Sequence, residues 1–198
     1  LGTTDLDEGE GVSVDGLGNV YVSGVTTGSL DGTNAGSFDA FVSKFSVANG
    51  TLLWTRQLGT SDSDGSSDVS ADALGNVFVT GHTWASLEGQ SAGRADAFVS
   101  KYDSDGTLIW TRQWGEGNDD FSNGVSADGL GNVYIAGVTG GLNGSSSSPP
   151  WDSFLIKYDH EGTILWSRTF GTSSDYVVTG MSISAEQLKS PRISTMPS

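Results

Sequence analysis

Hydrophobic and polar residues alternate along short segments of this chain, and turns rich in glycine separate the segments. In the first part of the chain the alternation predicts four strands, at residues 11–15, 19–25, 38–45 and 51–58. Successive side chains of a strand point to opposite faces, so this period of two is typical of strands. The sequence Asp-Gly-Leu-Gly-Asn joins the first two strands, and a short glycine-containing hairpin joins the last two. The pattern predicts a four-stranded antiparallel meander.

This unit of about 56 residues occurs three times in the chain. Trp54, Trp110 and Trp166 mark the same position of its fourth strand in each copy. Repeats of this length are typical of propellers, solenoids and arrays. A single meander cannot bury both of its faces, whereas copies packed around an axis can. The sequence therefore predicts an all-β protein, a β-propeller or partial propeller built of four-stranded antiparallel meander blades.

The repeat also predicts where the blades begin and end. The expected segments are blade 1 at 1–58, blade 2 at 59–114, blade 3 at 115–170, the first strand of an incomplete fourth blade at 171–184, and an irregular tail at 185–198. Three blades are too few to close a ring, so apolar blade faces are expected to need a cover. We therefore expect self-association or contact with further propeller blades, and we expect the chain to be part of something longer.

Two segments of the first copy carry a family resemblance. NVYVSGVTTGSLDGTNAGSFDAFVSKF, followed by GTLLWTRQLGT, is similar to the bacterial β-propeller repeat that occurs in tandem in large secreted or surface proteins. The resemblance extends over residues 2–184. It implies four-stranded blades and an extracellular or cell-surface location in a bacterium. That family is defined by its blade, so the resemblance implies no single activity.

Composition narrows the possible chemistry. The 198 residues include 29 glycines, only 35% are hydrophobic, and none is cysteine. Disulfides and thiolate metal sites are therefore excluded. No apolar run is long enough to predict insertion into a membrane. The chain also lacks the Gly-x-Ser-x-Gly, His-Glu-x-x-His and phosphate-loop motifs of common enzyme classes.

The acidic residues are predicted to concentrate on one side of the molecule. The formal net charge is −15, with 24 acidic residues. In a meander blade, the loops from second to third strand and the loops between blades share one rim, here named the acidic rim, which would receive 16 of these acids. Such a surface repels nucleic acid and anionic membranes and concentrates cations.

Two interpretations of the acidic rim stay open. One is a solvated surface in which aspartate and glycine simply form loops. The other is a calcium site, since Ca²⁺ binds several carboxylate and carbonyl oxygens. The segment 62–68 begins with the Asp-x-Asp-Gly pattern of calcium loops and offers Asp62, Asp64 and Asp68. A looser version at 5–10 offers Asp5 and Asp7, and neither segment has the full EF-hand pattern. Calcium is thus the one candidate cofactor.

Two tryptophans outside the repeat suggest a carbohydrate ligand. Trp84 and Trp151 lie in or beside loops of the acidic rim, where indole rings could stack on sugars. Glu88 and Asp120 are the carboxylates predicted to accompany them. A polysaccharide hydrolase would instead use two rim carboxylates, with Asp64, Asp120 and Glu88 as candidates. His82 and His160 are predicted on opposite rims, which argues against a two-histidine metal site.

The repeated residues favour structural roles. The tryptophans of the fourth strands are predicted to lie in the blade core, and the repeated lysines and arginines are predicted to cover blade faces and pair with acids. The sequence as a whole predicts a non-catalytic extracellular module that binds or scaffolds, with a glycan or a protein as partner. A lectin-like propeller and a glycoside hydrolase are the alternatives.

Overall fold

The structure is a computed structural model that describes residues 2–89, 91–140 and 151–171. These residues form three four-stranded antiparallel sheets, called blades 1, 2 and 3 in chain order. The strands of blade 1 are β1 (Asp7–Val14), β2 (Asn19–Thr26), β3 (Asp39–Ser46) and β4 (Leu52–Leu58). Those of blade 2 are β5 (Asp64–Ala71), β6 (Val77–Thr83), β7 (Asp96–Tyr102) and β8 (Leu108–Trp114). Those of blade 3 are β9 (Asp120–Ala127), β10 (Val133–Gly140), β11 (Trp151–Tyr158) and β12 (Ile164–Phe170).

The all-β fold with meander blades, predicted from the sequence, is confirmed. Each strand pairs with the next one along the chain, so the spatial order equals the chain order in all three sheets. In blade 1 the second, third and fourth strands lie within one residue of their predicted bounds. The part of the chain that the structure describes has no helix long and apolar enough to cross a membrane.

The first strand of blade 1 is longer than predicted. In blade 1 it begins at Asp7 rather than at Gly11, and the pairing with β2 shifts register between Gly9 and Gly11. Such a β-bulge inserts an extra residue and interrupts the alternation of side chains, so the sequence pattern stops short of the strand's true start. As a consequence Asp7, Asp64 and Asp120 head strands, whereas the sequence placed them in loops.

The hydrophobic core lies mainly between neighbouring blades. Tyr21 and Val42 of blade 1 pack with Val69, Val79 and other apolar residues of blade 2, and Trp54 lies against this cluster. A second cluster joins the two later blades and consists of Phe78, Ala97, Val99, Trp110, Val125, Val133, Ile135, Phe154, Ile156 and Tyr158. Blades 1 and 2 therefore each bury apolar side chains against the next blade, as the propeller architecture requires.

The first strands of successive blades are adjacent and hydrogen-bonded through serine side chains. The backbone N–H of Ala71 in β5 donates to Ser13 Oγ of β1 at 3.0 Å, and Ala127 of β9 donates to Ser70 Oγ at 3.1 Å. Because blades 2 and 3 each donate to the blade before them in the same way, the two junctions between blades are alike.

The loops divide between two rims as the sequence predicted. On the acidic rim, the backbone N–H of Asp64, where the loop between blades 1 and 2 ends, donates to Phe38 O at 2.7 Å. Phe38 ends the loop between β2 and β3, so this hydrogen bond joins the two loops. The other rim, here named the turn rim, carries the turns between first and second strands and the hairpins between third and fourth strands. There Val47 N–H donates to Gly18 O at 3.1 Å. The predicted strand at 171–184, apart from Gly171, and the tail at 185–198 lie outside the described residues.

Candidate functional site

Three side chains of blade 1 hold a hairpin of blade 2. Lys44 Nζ and Trp54 Nε1 both donate to the backbone oxygen of Ser104, at 2.8 and 3.1 Å. Arg56 Nε donates to Gly106 O at 2.6 Å. Ser104 and Gly106 belong to the hairpin between β7 and β8. We call this lysine, tryptophan and arginine set, together with the hairpin it binds, the clasp.

The same clasp joins blade 2 to blade 3. Lys101 Nζ and Trp110 Nε1 donate to His160 O at 3.0 and 3.2 Å, and Arg112 Nε donates to Gly162 O at 2.8 Å. The distances match those of the first clasp within about 0.2 Å. Hydrogen bonds that involve charged donors stabilise by about 1.5–3 kcal/mol each, so the clasps are substantial links between blades.

The sequence predicted only part of the role of these residues. Trp54 and Trp110 do pack against or in the core, and Arg56 and Arg112 do pair with acids of the acidic rim. Arg112 lies 2.9 Å from Glu88, and Arg56 lies 3.6 Å from Asp31. The backbone acceptors were missed because they belong to the following blade, about 50 residues further along the chain.

The clasped hairpins share a turn that presents their carbonyl groups. Asp103 Oδ1 accepts the backbone N–H groups of Asp105 and Thr107 at 3.0 and 2.8 Å. The hydrogen bond from the Thr107 N–H is the largest cause that lowers the pKa of Asp103, and the bond from the Asp105 N–H adds to it. Gly106 has a φ of +79°, and a β-carbon there would lie 2.9 Å from the Trp54 ring. Aspartate and glycine at these two positions are therefore both required by the geometry.

Buried aspartates face one another where the blades meet on the acidic rim. Asp96 heads β7, Asp120 heads β9, and both have 0% exposure. Asp96 Oδ2 accepts Gln113 Nε2 at 2.7 Å, and Asp120 Oδ2 accepts the backbone N–H of Glu116 at 2.9 Å. The Oδ1 atom of each has no hydrogen-bond partner among the described residues. Asp39 and Asp64 occupy the equivalent positions between blades 1 and 2, with the same Oδ1 atoms unpartnered.

Burial controls the ionisation of these groups. It raises the pKa of Asp120 to about 6, and the negative charge of Asp96 adds to the rise, although the nearby Thr139 side chain and the hydrogen bond from the Glu116 N–H oppose it. The pKa of Asp64 is raised for the same first reason. Asp7 occupies the same position in blade 1, and its pKa is lowered, chiefly by the hydrogen bond from Thr26. The pKa is therefore raised where a preceding blade buries the aspartate, and it is lowered in blade 1, which has no preceding blade among the described residues.

The residues predicted for calcium have separate environments. Asp64 Oδ2 accepts Thr60 Oγ1 at 2.8 Å, whereas Asp68 Oδ2 accepts the backbone N–H of Val125 on blade 3 at 2.9 Å. Asp62 and Asp5 are exposed, and Asp7 accepts Thr26 Oγ1 at 2.6 Å. Within the described ranges, no three metal-ligating side chains converge on one point. Calcium binding stays a prediction.

The residues predicted for carbohydrate differ in accessibility. Trp84 is 38% exposed and carries the Arg94 guanidinium 5.7 Å above its ring. Trp151 is half-buried, heads β11 and packs 5.9 Å from the ring of Phe121, which itself lies 5.0 Å from His82. The sequence did not predict this aromatic cluster, because its members come from three strands of two blades. Glu88 is paired with Arg112, and Asp120 is buried.

The turn rim carries an apolar feature that the sequence reading passed over. Leu17, Leu74 and Leu130, one from each Asp-x-Leu-Gly-Asn turn, are 64%, 77% and 73% exposed. A groove of about 530 Å³ lies between Leu74, Leu130 and His160. The leucine recurs at the tip of the same turn in all three copies, where it cannot reach a blade core. This repetition could have indicated an exposed apolar surface from the sequence alone.

Comparison with known proteins identifies the repeat. The chain is similar to the regulatory protein FlaEY of Caulobacter vibrioides, with 26% identity over 195 residues that cover 84% of this chain and 20% of that protein. The chain thus spans about a fifth of the length of this relative. The family described as beta-propeller repeat matches residues 2–31, 53–88 and 109–144, slightly more than half of the chain. This chain belongs to the beta-propeller repeat family.

Proposed function

We propose that the chain is a non-catalytic, extracellular module that binds and scaffolds. One observation carries the proposal. In blades 1 and 2 the side chains that recur in the repeat donate to backbone carbonyls of the next blade, as Trp54 does to Ser104 and Trp110 to His160. The repeated chemistry therefore serves the assembly of blades, and the side chains that differ between blades are left to determine what is bound. The name of the relative, a regulatory protein, favours a role in binding over one in catalysis.

The acidic rim is the proposed ligand face. Its exposed groups include Asp62, Glu88 and the indole of Trp84. Carboxylates attract cations and an accessible indole stacks on sugar rings, so calcium and carbohydrate are the proposed ligands. A location at the bacterial surface would suit both of them.

A glycoside hydrolase at this rim has less support. It needs two carboxylates on either side of the bond to be cleaved. Two of the three candidates, Asp64 and Asp120, are only 1% and 0% exposed. Glu88 is the one accessible candidate, and it is paired with Arg112 at 2.9 Å. A polysaccharide bound on the rim would therefore meet one of the three acids.

A glycan array followed by a reducing-sugar assay tests the proposal. We expect binding to a subset of glycans without release of reducing ends, because two of the three candidate acids, Asp64 and Asp120, are buried. Trp84→Ala should weaken binding tenfold or more, since truncation of an aromatic anchor in a binding surface costs about 2 kcal/mol or more. Leu130→Ala, an exposed position on the turn rim, is the matched control and should bind like the native chain. Release of reducing ends that Glu88→Gln abolishes would contradict the proposal and establish the hydrolase.

A further inference from the structure

Blade 3 carries a third set of clasp residues, Lys157, Trp166 and Arg168. The ring of Trp166 lies 6.0 Å from that of Tyr134, as Trp54 lies 6.0 Å from Tyr21. Lys157 Nζ lies 5.0 Å above the Tyr134 ring, close to the 5.5 Å that separates Lys101 from Phe78. The three donors are thus arranged as in the two occupied clasps.

The arginine of this third set is also held as in the others. Arg168 Nη1 donates to Ser167 O at 2.7 Å, and the equivalent bond of Arg112 to Thr111 O is also 2.7 Å. In the occupied clasps the arginine Nε, the indole N–H and the lysine Nζ all reach a hairpin. Within residues 2–89, 91–140 and 151–171, no hairpin carbonyl accepts from Arg168, Trp166 or Lys157.

The residues around the third set are more exposed than those around the two occupied clasps, so no described residue covers the surface where a hairpin would bind. Thr55 and Thr111 beside the occupied clasps are each 8% exposed, whereas Ser167 at the same position is exposed. Phe170 at the end of β12 is 49% exposed, and its counterpart Trp114 is half-buried.

The two occupied clasps define what the third can bind. Both hairpins read Asp-x-x-Gly-Thr, at 103–107 and 159–163. The aspartate holds the turn through two backbone N–H groups, and Gly162, like Gly106, lies so close to its tryptophan that a β-carbon would be 2.9 Å from the ring. A ligand for the third set needs the same two residues.

No free hairpin of this kind occurs in the chain itself. The sequences at 103–107 and 159–163 are already held by blades 1 and 2. Residues 172–198 contain no Asp-x-x-Gly-Thr sequence. The hairpin of blade 1 is one residue longer and has Ser46 in place of the aspartate, with a different turn bond from Gly50 N–H to Ser46 O at 2.8 Å.

We propose that Lys157, Trp166 and Arg168 form a docking site for an Asp-x-x-Gly-Thr β-hairpin of a further propeller blade, one that lies outside these 198 residues. This inference rests on the proposed scaffold function and names its partner. The three donors would bind the two carbonyls of that hairpin, and the glycine would lie flat on the indole of Trp166.

A hairpin peptide and nuclear magnetic resonance test the proposal on the full chain. The probe is the segment 102–108 closed by a terminal disulfide, because isolated hairpins are marginally stable in water. Titration should shift the indole N–H signal of Trp166 and the Nε–H signal of Arg168. The indole signals of Trp54 and Trp110 should stay in place, because their clasps are occupied. No shift of the Trp166 signal at millimolar peptide would overturn the proposal.

Substitutions in peptide and protein sharpen the test. A peptide with Gly106→Ala should bind about tenfold more weakly, and Arg168→Ala in the chain should have a similar effect, since each removes about 1.4 kcal/mol or more. Arg94→Ala on the acidic rim is the matched control and should leave peptide binding unchanged. Equal affinity of the Gly106→Ala peptide would overturn the proposed hairpin class. The glycan experiment tests the acidic rim, whereas the peptide experiment tests the third set of clasp residues. One proposal can therefore fail while the other stands.

Discussion

Blade 2 and the two outer blades have nearly the same sequence at corresponding positions, yet their environments differ sharply. Val69 of β5 and Val125 of β9 are 4% and 3% exposed, because a preceding blade covers them. Val12 at the same position of β1 is 68% exposed. On the opposite face, Arg112 binds carbonyls of blade 3, whereas Arg168 binds only Ser167 of its own strand among the described residues.

This difference shows that the repeat encodes an interface more than a self-sufficient unit. Every blade carries one surface with the residues that can bind the hairpin of a following blade and one surface that a preceding blade can cover. Only blade 2 has both surfaces occupied in the described part of the chain. The same residue therefore contributes much to stability in one copy and little in another, and the following predictions test that difference.

The largest expected effect is the loss of a clasp tryptophan. Trp110→Ala should lower the free energy of unfolding by about 3–5 kcal/mol, as large-to-small changes in cores do, because Trp110 is 8% exposed and hydrogen-bonded to His160. Trp166→Ala should cost about 1 kcal/mol, since that ring is half-buried and contacts no hairpin among the described residues. Urea denaturation of both variants measures the two values, and equal losses would show that the third clasp is already occupied.

The next effect concerns the glycines of the hairpins. Gly106→Ala should cost about 2–3 kcal/mol, because it adds a clash with Trp54 to the strain of a positive φ. Gly50→Ala in the hairpin of blade 1 is the matched control. Its φ is +68° but no atom lies within 4 Å of the new β-carbon, so about 1 kcal/mol is expected. A cost for Gly50→Ala as large as that for Gly106→Ala would indicate that another blade occupies that hairpin too.

A smaller effect is expected from the buried aspartates. The pKa of Asp120 is about 6 in the folded chain and 3.8 ordinarily. A carboxyl whose pKa is raised by folding weakens the folded state while it is ionised, so the contribution of Asp120 to stability should rise as the pH falls from 7 to about 4. Asp120→Asn should remove this rise and stabilise the chain by about 1–2 kcal/mol at pH 7. Denaturation between pH 7 and 4.5 measures the effect.

Asp7 provides the matched control for the buried aspartates. It heads blade 1 as Asp120 heads blade 3, but its pKa is lowered, first by the hydrogen bond from Thr26. A group of this kind stabilises the folded state above its ordinary pKa and loses that contribution as the pH falls through its folded pKa. Asp7→Asn should therefore not stabilise the chain at pH 7. Stabilisation by Asp7→Asn equal to that by Asp120→Asn would contradict the role given to the preceding blade.

The smallest expected effect is that of calcium on the loop between blades 1 and 2. If this loop binds the ion, calcium at about five times its dissociation constant should stabilise the chain by about 1 kcal/mol, because a ligand of the native state acts by mass action. Asp62→Asn should remove most of the gain, and Asp105→Asn on the turn rim should not. Thermal melts with calcium and with a chelator make the measurement. Identical melting temperatures would rule out calcium.

Much of the fold could be predicted because its signals are local. The alternation in NVYVSGV and DAFVSKF predicted β2 and β3 within one residue, and the turn residues predicted their connections. The start of β1 was missed because the bulge at Gly9–Gly11 disturbs a pattern that depends on strict alternation. The predicted acidic rim followed correctly from the meander, although several of its acids proved to be buried strand residues.

The candidate site was predicted less completely because burial and partners depend on distant segments. Glu88 and Asp120 are both carboxylates predicted on the acidic rim, yet Glu88 is paired with Arg112 and Asp120 is enclosed between two blades. Trp151 was predicted as a ligand residue, and the structure packs it against Phe121. The sequence contains no local signal for either contact.

By itself the sequence determined the all-β class, the four-stranded unit, its repetition and the separation of charge between two rims, since these depend on periodicity and on turn residues within about ten positions. Tertiary structure decided which repeated residues are bonded and which are not. Trp110 and Trp166 are equivalent in the sequence, and only the first meets a hairpin in the described part of the chain. A hydrogen bond between blades needs a donor and an acceptor about 50 residues apart, and a local pattern contains only one of the two.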